Sequence, residues 1–166
     1  MAENQKNKED KYEDEEREKL EQEYNKLKKK YKLPELSHLT DDFEISKTEE
    51  KNTGRTIRNI RKNISEKIGA YLHLFENLLN PQSPPLFIFS ILKNAKQEER
   101  EKIKEIYEKL SKLQITSMKL DTIYKEEDEA QFIMETHEKW QKLKQEIYTL
   151  LDNFDKNIKQ DISEHK

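Results

Sequence analysis

Three arginines lie within seven residues in the stretch TGRTIRNIRKNI, at Arg55, Arg58 and Arg61. The chain has five arginines in all and takes most of its positive charge from twenty-seven lysines. A guanidinium makes planar, bidentate contacts with carboxylates and phosphates that an ammonium cannot make. The cluster therefore indicates one of two kinds of chemistry: pairing with carboxylates inside the fold, or contact with anionic groups of a partner.

Helical spacing sorts these cations into two groups. At about 100° per residue, Arg55, Arg58 and Lys62 form one basic edge of a helix. No acidic residue occurs from Lys51 to Ser65. This edge is a candidate contact for a partner or for phosphates, although it is small and has no interleaved aromatic residues for base stacking.

Arg61 falls on the flank of the apolar stripe of the same helix, where a half-buried cation is better served by a guanidinium than by an ammonium. Asp121 lies in line with the apolar stripe of a later helix. An unpaired charge in the interior loses its hydration without compensation. We therefore predict a structural ion pair between Arg61 and Asp121, with Glu129 as the alternative partner, and favour this internal network over a partner-binding patch.

No constellation of residues predicts a catalytic, cofactor-binding or metal-binding site. A di-iron bundle requires inward-facing Glu-x-x-His units, but His73 precedes Glu76 in the reverse order, and Met134 stands three residues before His137. P-loop, GxGxxG and GxSxG motifs do not occur. We expect a non-enzymatic protein with no cofactor.

Composition favours a folded part joined to a highly solvated part. Charged residues make up 40% of the chain and apolar residues 32%, with a net charge of -3. The balanced excess of Lys and Glu is typical of long helices with solvated faces. Cysteine is absent, and the first sixteen residues have no apolar segment typical of a signal peptide. We expect a cytoplasmic protein with no membrane association.

Apolar periodicity predicts an all-α fold. Stripes with steps of three and four residues predict long helices over 54–79, over 95–124 and from about Asp128 to Ile162. Short connections predict that these three pack as an antiparallel bundle over 54–163. The segment LFIFSIL predicts a short apolar helix at 84–94. We expect it to seal one end of the bundle; the alternative is a binding surface for a partner.

The first 53 residues are predicted to lie outside the bundle. Residues 1–32 read as a charged extension, helical or frayed, whose stripe of Leu20, Tyr24, Leu27 and Tyr31 is too short for a coiled coil. We expect this extension to bury little and to be dispensable for folding. The alternative is a helix that docks on a partner or on a second copy. Residues 33–53 read as an irregular linker, or as a strap with its apolar residues on the bundle.

Gly69 interrupts the first long helix, where glycine costs about 1 kcal/mol relative to alanine. Ser65 and Gly69 form a small-x-x-x-small pair. We interpret the pair as a site where another segment approaches closely. The functional alternative is a groove for a partner.

The segments IRNIRKNISEKIGAYLHLFENLLNP and EAQFIMETHEKW carry a family resemblance. Over about Arg55 to Leu151 the chain resembles small uncharacterised helical proteins of small-genome archaea. The resemblance implies a cytoplasmic setting and no particular activity.

Taken together, these patterns favour a helical interaction or scaffold module whose protein partner is unknown. In one version of this hypothesis, the chain self-associates through residues 12–31. The alternative is a nucleic-acid-associated protein that uses the basic edge at Arg55, Arg58 and Lys62.

Overall fold

A computed structural model describes residues 2–45, 55–82 and 85–164, and this part of the chain is all-helical. Its helices are α1 (Ala2–Tyr31), α2 (Leu36–Phe43), α3 (Thr56–Leu79), α4 (Leu86–Asn94), α5 (Gln97–Thr122) and α6 (Glu126–Glu164). The described ranges contain no strand, which confirms the predicted all-α class. Within the same ranges, no helix is both long and apolar enough to cross a membrane.

The chain divides into two compact units. Unit 1 comprises Met1–Lys67 and Ser117–His137, and unit 2 comprises Ile68–Thr116 and Glu138–Lys166. Helices α3, α5 and α6 each contribute residues to both units, whereas α1 and α2 belong to unit 1 and α4 to unit 2. These units cut across the predicted division into an extension, a linker and a bundle.

The core of unit 1 combines apolar faces from α1, α2, α3 and α6. In α3, residues at steps of three and four form one buried face. The buried apolar side chains of the unit are Tyr24, Leu33, Leu39, Phe43, Ile45, Ile57, Ile60, Ile64, Ala130, Phe132 and Ile133.

Unit 2 has its own core, built from the stripes of α3, α5 and α6 and from one residue of α4. Its buried apolar side chains are Ile68, Phe75, Leu78, Ile88, Ile103, Ile106, Leu110, Leu113, Trp140, Leu143, Ile147, Leu150 and Phe154. The rings of Tyr71 and Trp140 contact each other with centroids 5.3 Å apart and planes tilted by 56°, a favourable aromatic geometry. The Asn157 amide donates to both carboxylate oxygens of Glu99 at 3.0 Å.

Helix α1 is part of unit 1. Tyr24 is the one buried side chain among those described in residues 1–32, so the expectation that this segment buries little needs correction only at Tyr24, and its dispensability for folding stays a prediction. The Tyr24 side chain is fully buried, and its hydroxyl donates to the Pro34 carbonyl oxygen at 2.7 Å. Burial raises the pKa of Tyr24 well above its ordinary value, and the charge of Glu35 acts in the same direction. Helix α1 packs in unit 1 despite its short apolar stripe, because one large aromatic side chain can fill a core position.

The end of α1 is tied to the start of α6. Lys30 Nζ and the Tyr31 hydroxyl both donate to Glu126 Oε1, at 2.9 and 2.8 Å. These hydrogen bonds, that of Lys30 first, hold the pKa of Glu126 below its usual range. Residues 96 positions apart in sequence are thereby joined.

Residues 36–43 form a helix, which corrects the prediction of irregular structure over 33–53. Leu36, Leu39, Thr40 and Phe43 follow helical spacing within LSHLTDDF, and Leu39 and Phe43 are buried. A stretch of eight residues is too short for periodicity to stand out from chance. Glu44 ends the helix in the left-handed conformation, and its N–H donates to Thr40 O at 2.8 Å. The remainder of the predicted linker, residues 46–53, lies outside the described residues.

Gly69 does not mark a close approach, which corrects the packing interpretation. A Cβ atom at this position would meet Gln114 Oε1 at 3.8 Å, an ordinary van der Waals distance. No neighbour within the described ranges therefore requires the absence of a side chain at Gly69.

Replacing Tyr24 with alanine tests whether α1 belongs to the core. Loss of a large buried aromatic side chain should cost about 3–5 kcal/mol. The control is Tyr148→Ala, because the Tyr148 side chain is 69% exposed, and it should cost under about 0.5 kcal/mol. Urea unfolding measures both. Equal effects of the two substitutions would show that α1 is peripheral, as the sequence suggested.

Replacing Gly69 with alanine should stabilise the protein by up to about 1 kcal/mol, since helix propensity improves and the new methyl group has room. The expected signature is a rise in the thermal midpoint. A fall in the midpoint would show that the methyl group displaces the Gln114 side chain or another neighbour.

Candidate interaction site

The Arg61 guanidinium is the centre of a buried ion cluster in unit 1. Only 1% of the residue is exposed. Its three nitrogens donate to three different side chains: Nε to Glu129 Oε2 at 2.7 Å, Nη1 to Ser117 Oγ at 2.9 Å, and Nη2 to Asp121 Oδ1 at 2.6 Å. A lysine ammonium is a compact point charge and lacks this fixed fork of donors. The geometry answers why arginine occupies this position.

Helical spacing positions the partners. Ser117 and Asp121 are four residues apart on α5, so they lie on one face. Glu129 lies in the first turn of α6, where a negative charge also interacts favourably with the helix dipole. Arg61 therefore joins α3 to the end of α5 and to the start of α6.

A short hydroxyl chain extends the cluster. Ser65 Oγ donates to Arg61 O at 2.9 Å and lies 2.6 Å from Ser117 Oγ. Because the single hydroxyl hydrogen of Ser65 is used on Arg61 O, the Ser117 hydroxyl donates to Ser65. Both serines are buried, so this chain satisfies polar groups that water cannot reach.

Arg58 serves the same cluster and the end of α5. Its Nη2 donates to Leu120 O at 2.7 Å, and its Nε lies 3.3 Å from Glu129 Oε1. Leu120 lies in the last turn of α5, where carbonyl groups have no partner within the helix. A cation there also complements the helix dipole. Arg58, with 15% of its side chain exposed, is thus engaged inside the protein.

Arg55 and Lys62 remain on the surface. The Arg55 guanidinium carbon lies 4.4 Å from the centroid of the Tyr124 ring, within cation–π range. Burial raises the pKa of Tyr124, and the Glu126 charge adds to that shift. Lys62 is exposed. Of the predicted basic edge, two cations are therefore accessible and the third is paired.

The two carboxylates of the cluster differ in burial. The structure brings Arg61 together with Asp121 and also with Glu129, the expected alternative. Half of the Asp121 side chain is exposed (53%), whereas that of Glu129 is fully buried. Water screens an exposed pair, so the contact with Glu129 carries the larger share of the interaction. Sequence reasoning ranked the two in the opposite order because a glutamate within the EEDE run reads as part of a solvated turn.

The two histidines considered for metal binding, His73 and His137, do not lie in a group of residues that could hold a metal ion. His73 is exposed, and its Nδ1 lies 3.7 Å from Glu76 Oε2. His137 lies against α2, where its ring is stacked on that of His38 and its Nε2 is 3.9 Å from Asp42 Oδ2. Among the described residues, no group of three or more His, Cys, Asp or Glu could hold a metal ion. The His38 and Asp42 neighbours were missed because α2 was not predicted.

Helix α4 presents an apolar surface, which corrects the expectation that it seals the core. Its Ile88 is buried, but 87% of Leu86, 59% of Phe87 and 60% of Phe89 are exposed. A helix that is apolar all round is expected to be buried on several faces, yet only one face of α4 packs against the rest of unit 2. We call Leu86, Phe87 and Phe89 the α4 apolar face.

The contribution of the cluster to stability can be measured with Arg61→Met. Removing one member of a buried pair typically costs about 3–5 kcal/mol, because the other charge is left stranded. The matched control is Arg55→Met, which removes an exposed guanidinium and should cost under about 1 kcal/mol. Denaturant unfolding of both variants gives the comparison, and similar losses from both would contradict a structural role for Arg61.

Comparisons with known proteins do not assign the chain to a family. No protein-family model matches the chain, and searches of curated proteins and of solved structures likewise find no match. The ion cluster and the α4 apolar face are therefore the features from which a function is inferred.

Proposed function

We propose that this chain is a non-enzymatic protein-interaction module in which the ion cluster is structural and the α4 apolar face is the contact surface. The observation that carries the proposal is the exposure of Leu86, Phe87 and Phe89 on one short helix. Contiguous exposed apolar side chains are typical of sites that bind another protein, since they cost solubility when left bare. Phenylalanine is also among the residue types enriched at protein–protein interfaces relative to the rest of the surface.

Packing within unit 2 supports a binding role over a structural one for this surface. Ile88 already anchors α4 in the core. The three side chains of the α4 apolar face therefore add little to burial, and polar residues in their place would serve folding equally well. Their presence together on one short helix, in a chain with only 32% apolar residues, supports contact with a partner.

The scaffold that we propose is an antiparallel bundle of the three long helices. The start of α3 contacts the end of α5 through Arg61 and Asp121. The start of α5 contacts the later part of α6 through Glu99 and Asn157. A contact between the start of one helix and the end of another supports an antiparallel pair, so α3 and α5 would be antiparallel, and so would α5 and α6. In the proposed bundle α3 and α6 then lie side by side. A cytoplasmic setting and the resemblance to small archaeal helical proteins are part of the same proposal.

Nucleic-acid binding is the weaker candidate. Arg58 makes internal contacts with Leu120 O and Glu129, so the basic edge keeps two accessible cations, Arg55 and Lys62. Two phosphate contacts on a protein with net charge -3 supply little electrostatic affinity.

Affinity purification from an extract of the organism that encodes the chain tests both candidates. The wild-type chain is compared with Phe87→Ser/Phe89→Ser and with the control Ile115→Ser/Tyr148→Ser, which alters exposed apolar residues elsewhere in unit 2. We expect specific proteins to co-purify with the wild type and the control and to be lost with the α4 variant. Circular dichroism checks that all three are folded.

Two outcomes would contradict this proposal. One is retention of the same proteins by the α4 variant. The other is recovery of nucleic acid that is lost at raised salt and in Arg55→Glu/Lys62→Glu, which would favour the alternative function.

A further inference from the structure

We draw no further inference here: the strongest candidate, the α4 apolar face in unit 2 as the docking surface of one particular occupant, belongs to the site already described, and nothing in the described residues shows whether a second copy of this chain or another protein covers it.

Discussion

A fully buried guanidinium is the constraint on which unit 1 depends. The Arg61 charge is tolerable in the interior only if carboxylates lie beside it, because desolvation of an unpaired ion is costly. Glu129 and Asp121 must therefore reach it from α6 and α5. Apolar contacts alone tolerate sliding of one helix along another, whereas three directed hydrogen bonds fix both register and orientation. We infer that this cluster specifies the helix pairing of unit 1 more than it adds net stability.

The same constraint bears on function. Arg58 and Arg61 are occupied by internal partners, and Arg58 meets Glu129 less well, since Arg58 Nε and Glu129 Oε1 lie 3.3 Å apart without forming a hydrogen bond. A positive cluster conspicuous in the sequence thus becomes mostly interior. Unit 2 has a largely charged surface on which the α4 apolar face is an exception. An exposed apolar face favours recognition of protein over nucleic acid.

The features that could be predicted from the sequence are those set by a strong apolar periodicity or by the cost of burying a charge. The long stripes of α3, α5 and α6 predicted an all-α fold, and the position of Arg61 on the flank of a stripe led to Asp121 as a contact. Short-range signals were insufficient for α2, whose eight residues carry too few turns to reveal a period. The exposure of Phe87 and Phe89 could not be predicted from the sequence either, because a segment that is apolar all round does not show which of its faces will pack. The burial of Tyr24 depends on tertiary contacts from Pro34 and its neighbours.

A double-mutant cycle between Arg61 and Glu129 tests the central claim most directly, with Arg61 and Asp121 as the reference cycle. The substitutions are Arg61→Met, Glu129→Gln and Asp121→Asn, and urea unfolding gives the free energy of each single and double variant. Buried, hydrogen-bonded partners typically show coupling energies up to about 3 kcal/mol, whereas exposed pairs show under about 1 kcal/mol. We predict a coupling of about 2–3 kcal/mol for Arg61 with Glu129 and a clearly smaller one with Asp121. Coupling near zero between Arg61 and Glu129 would contradict the account.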